Sequence, residues 1–230
     1  MNLICKLRIY GIVQGVGFRP FAARLASRFS IGGTVSNKGA YVEIIAEGTR
    51  ESLDQFIDAI QNEAPPRAVI IKIDVSELGD ADLFFDGFSI VDSKHERGAI
   101  FVSPDIAICQ KCRAELFDRS NRRYLHPFIN CTDCGPRLTI MKQMPYDRER
   151  TAMSEFPMCD RCAREYFEPS SRRFDAQPIC CNDCGPEVFL LDSSKRGLSA
   201  ISEVRRVIAE GGIAAIKGIG GFHLACDATN

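Results

Sequence analysis

Four cysteine pairs between residues 109 and 184 decide how this chain can fold. The pairs read Cys109-Gln-Lys-Cys112, Cys131-Thr-Asp-Cys134, Cys159-Asp-Arg-Cys162 and Cys181-Asn-Asp-Cys184. The loop between the paired motifs is 18 residues long in both halves. A Cys-x2-Cys turn points two thiolates at one ion, and two such turns complete a tetrahedral four-sulfur shell with no open position. The spacing therefore predicts two structural zinc ions, one in each half.

The two halves are copies of one another. A shift of 50 residues places residues 159–186 on residues 109–136, and 13 of the 28 positions are then identical. Cys180 is ambiguous because it precedes Cys181, but the repeat aligns Cys181 with Cys131, so Cys181 is the predicted ligand. So short a stretch buries little apolar surface, and metal binding is expected to supply much of its folding free energy.

Composition and charge limit the classes of function. The chain has 230 residues, of which 45% are apolar and 26% charged, which indicates a globular protein of two domains or slightly more. No apolar run approaches the ~20 residues of a membrane span, and no secretion signal is visible at the N-terminus. Cys-x2-Cys pairs in such a chain are typical of metal ligands in a reducing cytosol, so we expect a cytoplasmic location and no membrane partner. Cys5 and Cys226 lie outside the repeat and are expected to be small buried hydrophobes.

A nucleic-acid-binding zinc protein is one alternative, because each repeat carries an arginine pair, Arg122-Arg123 and Arg172-Arg173. Residues 105–186 contain 13 Lys or Arg against 12 Asp or Glu, and each four-thiolate zinc site adds negative charge. A protein that binds the phosphate backbone should be strongly positive. We therefore expect no nucleic-acid partner and interpret the arginine pairs as structural or interdomain contacts. His126 has no counterpart in the repeat and is expected to be a surface or packing residue.

Residues 1–92 predict a β-α-β-β-α-β domain with a trailing strand. Alternating apolar residues predict strands over 3–13, 31–37, 41–46, 69–75 and 84–91. Apolar residues at helical spacing predict one helix that begins near Pro20 and a second helix over 51–63. This order is the split βαβ arrangement, an antiparallel sheet with two helices on one face.

The loop between the first strand and the first helix suits a phosphate group. Its sequence is Gly11-Ile-Val-Gln-Gly-Val-Gly-Phe-Arg19. Gly15 and Gly17 allow successive backbone N–H groups to face inward, and the helix N-terminus adds partial positive charge. Arg19 can donate two parallel hydrogen bonds to phosphate oxygens. Glycine-bearing turns between strands and helices are common, so an ordinary loop stays open at this point.

This stretch, followed by Gly33-x3-Asn37-x-Gly39, resembles the acylphosphatase signature, and the resemblance covers about the first 90 residues. It implies that Arg19 binds an acyl phosphate and that Asn37 orients the attacking water. It also implies that a backbone cradle holds the phosphoryl oxygens, formed by Gln14, Gly15, Val16, Gly17 and Phe18. An acyl phosphate carries a good leaving group, so such a site needs positioning and charge neutralisation more than a strong base or a metal. Pro20, which free-standing acylphosphatases need not have, suggests a specialised, fused version of the domain.

Residues 187–230 predict a short strand over 188–191, a helix ended by Gly211-Gly212, and a buried strand over 213–216 that lacks a partner. The stretch Gly-Gly-Ile-Ala-Ala-Ile-Lys-Gly-Ile-Gly-Gly-Phe-His-Leu-Ala-Cys-Asp-Ala-Thr-Asn (211–230) resembles the start of a YrdC-like nucleotide-binding domain. In that family Lys217 would lie near the nucleotide or carbamate site. We expect these residues to be the opening of a larger α/β domain.

Together the segments resemble the N-terminal part of the HypF family of hydrogenase maturation carbamoyltransferases. The expected α+β division is an acylphosphatase-like domain over 1–92, a linker over 93–104, the zinc array over 105–186 and the YrdC-like opening over 187–230. The resemblance implies that the intact protein uses carbamoyl phosphate and ATP, releases carbamate at the first domain and adenylates it at the YrdC-like domain. It implies transfer to a C-terminal cysteine thiol of a HypE-like acceptor, where the group becomes the cyanide ligand of nickel–iron hydrogenase. These 230 residues are expected to hydrolyse an acyl or carbamoyl phosphate without completing the transfer. A non-catalytic zinc-stabilised scaffold is the second alternative.

Overall fold

A five-stranded sheet forms the N-terminal domain in the computed structural model, which describes residues 2–78, 85–94 and 103–230. Its strands are β1 (Leu3–Ile12), β2 (Gly32–Asn37), β3 (Tyr41–Gly48), β4 (Val69–Glu77) and β5 (Phe88–Ile90), in the spatial order β4-β1-β3-β2-β5. The predicted element order is confirmed. The sheet is mixed rather than antiparallel throughout, because β5 runs parallel to β2. The strand expected over 84–91 occupies only 88–90, and residue 84 lies outside the described residues.

Two helices pack against this sheet and close its core. Helix α1 (Phe18–Arg28) and helix α2 (Arg50–Asn62) contribute apolar side chains to the same cluster as β1, β2 and β3. Thr49 caps helix α2, because its hydroxyl accepts a hydrogen bond from Ser52 N at 3.2 Å and so satisfies one free donor of the first turn. No helix in the described ranges combines the length and the apolar character that a bilayer crossing needs.

The zinc array is built from turns and two short helices. Helix α3 (Gln110–Phe117) and helix α4 (Asp160–Phe167) occupy equivalent places in the two repeats, and each begins directly after the first cysteine of its repeat. Three 3-10 turns, over 138–140, 148–150 and 152–155, lie in the connection between the repeats. This connection matters for the site because it carries Asp147, which contacts the N-terminal domain.

The C-terminal segment departs from several expectations. Helix α5 (Gly197–Ala209) precedes an antiparallel pair, β6 (Ala214–Lys217) and β7 (Phe222–Ala225). The strand expected to be buried and unpartnered is therefore paired, and most of its residues are exposed. The strand expected over 188–191 is reduced to a single bridge between Phe189 and Arg196. Cys226 is exposed rather than buried, whereas Cys5 is buried as expected.

Candidate active site and metal clusters

The loop between β1 and α1 makes a turn that depends on its glycines. Gly15 and Gly17 have φ angles of 70° and 78°, in the left-handed region that other residues adopt at a cost. Gly17 is the residue that caps α1, and its carbonyl accepts the hydrogen bond from Phe21 N at 3.1 Å. The loop thus brings its backbone to the positive end of a helix, where an anion is favoured.

Arg19, in the first turn of α1, is buried and paired with two carboxylates from the zinc array. Its Nη1 lies 2.6 Å from Asp147 Oδ1 and its Nε lies 2.9 Å from Asp175 Oδ2. All three side chains are at most 10% exposed. Burial by itself would lower the pKa of Arg19, but Asp175 and Asp147 together raise it above its ordinary value. The guanidinium therefore keeps its positive charge in a site that excludes most water.

Asn37 ends β2 and is buried beside the loop. Its side-chain Oδ1 has no hydrogen-bond partner within the described parts of the chain, and the same holds for Gln14 Oε1. The Gln14 amide nitrogen, by contrast, donates to Gly39 O at 2.9 Å. A buried acceptor without a donor costs free energy unless a water or a ligand supplies one. Asn37 is therefore ready to accept a hydrogen bond from a molecule in the site.

A small cavity of about 20 Å³ lies between the loop and the zinc array, with room for about one water molecule. The N-terminal domain supplies Arg19, Asn37 and loop residues, and the zinc array supplies the opposite wall. That wall consists of Thr132, Arg137, Tyr146, Asp175, Ala176 and Gln177. The site is thus shared by two domains, with the predicted residues on one side only.

Arg137 connects the loop to the first metal cluster. Its Nε donates a short hydrogen bond to Gly15 O, its Nη2 donates to Thr132 O at 2.7 Å, and its Nη1 donates to Cys134 O at 3.2 Å. The guanidinium also lies 5.8 Å from the centre of the Tyr146 ring. One buried side chain therefore fixes the position of the loop relative to the cysteines.

The eight predicted cysteines form two groups. Cys109, Cys112, Cys131 and Cys134 make one group and Cys159, Cys162, Cys181 and Cys184 the other, with all sulfurs of a group within 4.8 Å of one another. The Sγ atoms of Cys131 and Cys134 are 3.8 Å apart, as are those of Cys181 and Cys184. Four sulfurs at the usual zinc–sulfur bond length stand about 3.8 Å apart in a tetrahedron. Both groups therefore fit a zinc ion.

Cys180 lies outside the second cluster. Its Sγ is 3.2 Å from His126 Nε2, and His126 Nδ1 is 2.9 Å from Asn182 Oδ1. Burial raises the pKa of Cys180 to about 12 and lowers the pKa of His126 to about 4, so both are neutral at physiological pH. His126 is a packing residue, which is one of the two roles expected of it.

The arginine pairs cross between the repeats. Arg122 Nη2 donates to Cys162 Sγ at 3.2 Å and to Glu165 at 2.8 Å. Arg172 Nη2 donates to Cys112 Sγ at 3.2 Å and also pairs with Glu115.

The second arginine of each pair also crosses. Arg123 Nε donates to Cys180 O at 2.8 Å, and Arg173 Nε donates to Asn130 O at 2.9 Å. The four side chains donate to atoms of the opposite repeat, so they stabilise the array, as the structural interpretation of the arginine pairs expected.

Lys217 was singled out by the sequence but is not part of an organised site here. It ends β6 and is exposed, with its Nζ 5.4 Å from the centre of the Phe222 ring. The residues that sequence reasoning missed are Asp147 and Asp175, together with Arg137. The repeat alignment could have drawn attention to Asp175. It aligns Asp175 with Leu125 and so places a charged residue where the first copy has an apolar one.

Comparison with known proteins matches a family to each of the two parts of the chain that border the cavity. The acylphosphatase family model matches residues 5–90, and the HypF finger model matches residues 108–141 and 158–191. The acylphosphatase of Staphylococcus haemolyticus is 40% identical over 84 residues, which are 36% of this chain and 94% of that protein.

Longer relatives cover nearly the whole chain. The probable carbamoyltransferase HypF of Methanocaldococcus jannaschii is 51% identical over 228 residues, which are 96% of this chain and 29% of that protein. A crystal structure of full-length HypF in a phosphate- and nucleotide-bound form matches with a TM-score of 0.92 and 43% identity, over 100% of this chain and 30% of that one. The chain thus spans less than a third of the length of these relatives.

Proposed function

This chain belongs to the acylphosphatase family through residues 5–90 and matches the N-terminal part of HypF carbamoyltransferases along its length, and we propose on that basis that it hydrolyses carbamoyl phosphate. One observation carries the proposal. Arg19, whose guanidinium is charged, and Asn37, whose Oδ1 has no partner among the described residues, both line one cavity beside the glycine loop. These are the two groups that an acyl-phosphate hydrolase needs, a fixed positive charge and an acceptor that orients water.

In the proposed reaction the phosphoryl oxygens lie against the backbone N–H groups of residues 14–18 and against Arg19. Asn37 Oδ1 accepts a hydrogen bond from the attacking water, which is supported by the lack of any partner for that atom among the described residues. The water oxygen forms a bond to phosphorus as the bond from phosphorus to the carbamoyl oxygen breaks, giving phosphate and carbamate. The proton that the water loses passes to the released anions or to solvent. The charge that develops on the phosphoryl oxygens is offset by fixed donors, so no strong base is required.

Zinc has a structural role in this proposal. The eight clustered cysteines would hold two ions, and a four-thiolate shell leaves no position for substrate. The array then serves as the second wall of the site through Arg137 and Asp175, and its Asp147 contacts Arg19.

We extend the proposal to the whole protein of which such a chain forms part. The proposed domain division is 1–92, 93–104, 105–186 and 187–230, of which residue 1 and residues 79–84 and 95–102 lie outside the described ranges. Carbamate released at the first domain would be adenylated with ATP and passed to the C-terminal cysteine of a HypE-like protein. The full-length relatives, named as carbamoyltransferases, support this extension, and so does the phosphate- and nucleotide-bound form of one of them.

The test is phosphate release from carbamoyl phosphate by the zinc-loaded chain and by Arg19→Ala and Asn37→Ala. We expect each substitution to lower kcat/KM by about 100-fold or more, as the loss of one fixed transition-state donor does. Arg28→Ala is the matched control, because Arg28 lies at the other end of α1 and forms an exposed pair with Glu63. Release that survives both site substitutions, or no release from folded wild type, would contradict the proposal and favour a scaffold.

A further inference from the structure

The zinc array supplies the groups that hold Arg19, and these groups are themselves held. Asp147 Oδ2 accepts a hydrogen bond from Arg150 at 3.2 Å. Asp175 Oδ1 accepts from Gln177 Nε2 at 2.8 Å and from Tyr166 OH at 3.3 Å, while its Oδ2 faces Arg19. Both carboxylates are therefore fixed before any substrate arrives.

Asp175 also has an unusual backbone conformation. Its φ angle of 56° lies in the left-handed region, which costs a non-glycine residue free energy unless the surroundings enforce it. Among the array residues that line the cavity, Asp175 is the one with an acidic side chain. Asp147 contacts Arg19 but is not among the cavity-lining residues, so the two carboxylates are not equivalent.

The position of the loop determines which part of a substrate meets the array. When the loop holds three phosphoryl oxygens, the fourth bond of phosphorus points away from the loop, toward the opposite wall. The acyl group therefore approaches Asp175 and its neighbours, in a cavity with little free volume. The space in the structure holds about one water molecule, so an acyl group enters only when the two walls move apart, and a small group needs the least movement.

A carboxylate at this point disfavours an anionic ligand unless the ligand also offers a hydrogen-bond donor. The amino group of carbamoyl phosphate offers two N–H donors, whereas the methyl group of acetyl phosphate, which has nearly the same shape, offers none. Asp175 already accepts from Gln177, Tyr166 and Arg19, so the amino group would add a charge-assisted hydrogen bond to it, whereas the methyl group would lie against a buried carboxylate without offering one.

We propose that Asp175 is a positioning and specificity residue of the acyl-phosphate site, which holds Arg19 through Oδ2 and accepts an N–H from the amino group of a carbamoyl substrate. This inference rests on the proposed hydrolysis of acyl phosphates and adds to it the group that selects the acyl part. It assigns different roles to the two aspartates. Asp147 positions Arg19 for any acyl phosphate, and Asp175 also distinguishes between them.

The experiment compares kcat/KM for carbamoyl phosphate and acetyl phosphate in wild type, Asp175→Asn and Asp147→Asn, all as the full zinc-loaded chain. Asparagine tolerates the left-handed conformation, so the backbone at 175 should be kept. We expect Asp175→Asn to lower the carbamoyl-to-acetyl ratio by about tenfold or more, within the range of a lost polar discrimination. Asp147→Asn should lower both values by a similar factor and leave the ratio unchanged. Asp192→Asn is the control, because Asp192 has the same φ of 56° on an exposed part of the chain.

A second measurement separates a role in the site from a role in folding. Inorganic phosphate should bind more tightly to Asp175→Asn than to wild type in calorimetry, because one carboxylate beside the anion is removed. A substitution that only damaged the fold would weaken phosphate binding and lower the zinc content. An unchanged ratio with active wild type overturns the role of Asp175 and leaves the hydrolase proposal standing. If folded wild type releases phosphate from neither compound, the hydrolase proposal fails, and this inference fails with it.

Discussion

Removing Arg172 is expected to weaken metal binding in the repeat opposite to its own. Arg172 Nη2 lies 3.2 Å from Cys112 Sγ, 60 residues away along the chain, and Arg122 Nη2 lies at the same distance from Cys162 Sγ. Four thiolates around one zinc ion leave a net negative charge, and each arginine offsets part of the charge on the other cluster. The perturbation is Arg172→Ala, and Arg122→Ala is its symmetric counterpart.

The magnitude follows from how the arginine is placed. Groups that hydrogen bond to metal ligands contribute about 10–100-fold to affinity, which is about 1.4–2.8 kcal/mol. The Arg172 side chain is 26% exposed, so solvent screens part of its charge. We therefore expect Arg172→Ala to weaken the first cluster by about tenfold, at the lower end of that range. Arg122 is only 14% exposed, and its removal should cost the second cluster more.

The assay is a graded chelator challenge, followed by alkylation of the released thiols and peptide mapping. Arg172→Ala should first expose Cys109, Cys112, Cys131 and Cys134, and Arg122→Ala should first expose Cys159, Cys162, Cys181 and Cys184. Lys142→Ala is the control, because Lys142 forms an exposed pair with Glu155 between the repeats. Loss of metal from the repeat that carries the substitution, or equal loss from both clusters, would refute the crossed arrangement.

Three further outcomes are expected. Gly33→Ala should destabilise the N-terminal domain by more than about 3 kcal/mol in urea unfolding, because a Cβ would meet the carbonyl oxygen of the neighbouring strand at 1.9 Å with φ at +138°. Gly87→Ala, with φ of +87° and open space around its Cβ, should cost only about 1–2 kcal/mol, and equal costs would contradict the steric cause. Thr49→Ala should cost about 1 kcal/mol through loss of the α2 cap, and an unchanged urea midpoint would show that the cap is dispensable. Burial lowers the pKa of His126 in the folded chain to about 4, from an ordinary value of 6.5 in the unfolded chain. The effect of His126 on the free energy of unfolding is therefore most favourable above about pH 6.5. This stabilisation is lost as the pH falls toward 4, because the unfolded chain binds the proton more readily. The unfolding free energy of wild type should therefore fall across that window more steeply than that of His126→Gln, by a difference on the order of 2–3 kcal/mol, and parallel curves would exclude this role.

Local patterns could be predicted from the sequence because short-range geometry determines them. The Cys-x2-Cys spacing fixed which eight sulfurs meet, and the repeat alignment separated Cys181 from Cys180. The strand, glycine loop and helix around Arg19 were also visible, since hydrophobic periodicity and glycine placement are properties of neighbouring residues.

Contacts between distant parts of the chain could not be predicted in this way. Arg19 and Asp147 are separated by 128 positions, and no periodicity links a helix of one domain to a turn of another. The arginine pairs were expected to be structural, but their crossing depends on how the repeats face each other. The prediction of a buried, unpartnered strand over 213–216 was wrong for a related reason. An apolar run in the sequence shows neither which strand it pairs with nor how exposed it is.

The crossed arginines and the shared cavity have one physical consequence. A segment as short as the zinc array cannot hold two carboxylates in fixed positions by apolar burial, because its core clusters are small. Two zinc-loaded clusters, each contacted by arginines from the other repeat, would make the array rigid. Asp147 belongs to the connection between the repeats and Asp175 to the second repeat, so only a rigid array can bring both to Arg19 at hydrogen-bond distance. Because the array holds Arg19 in place, stepwise zinc removal should reduce phosphate release from carbamoyl phosphate in proportion to the metal lost, although no metal touches the substrate. Full turnover by metal-free chain would show that the N-terminal domain positions Arg19 without help from the array.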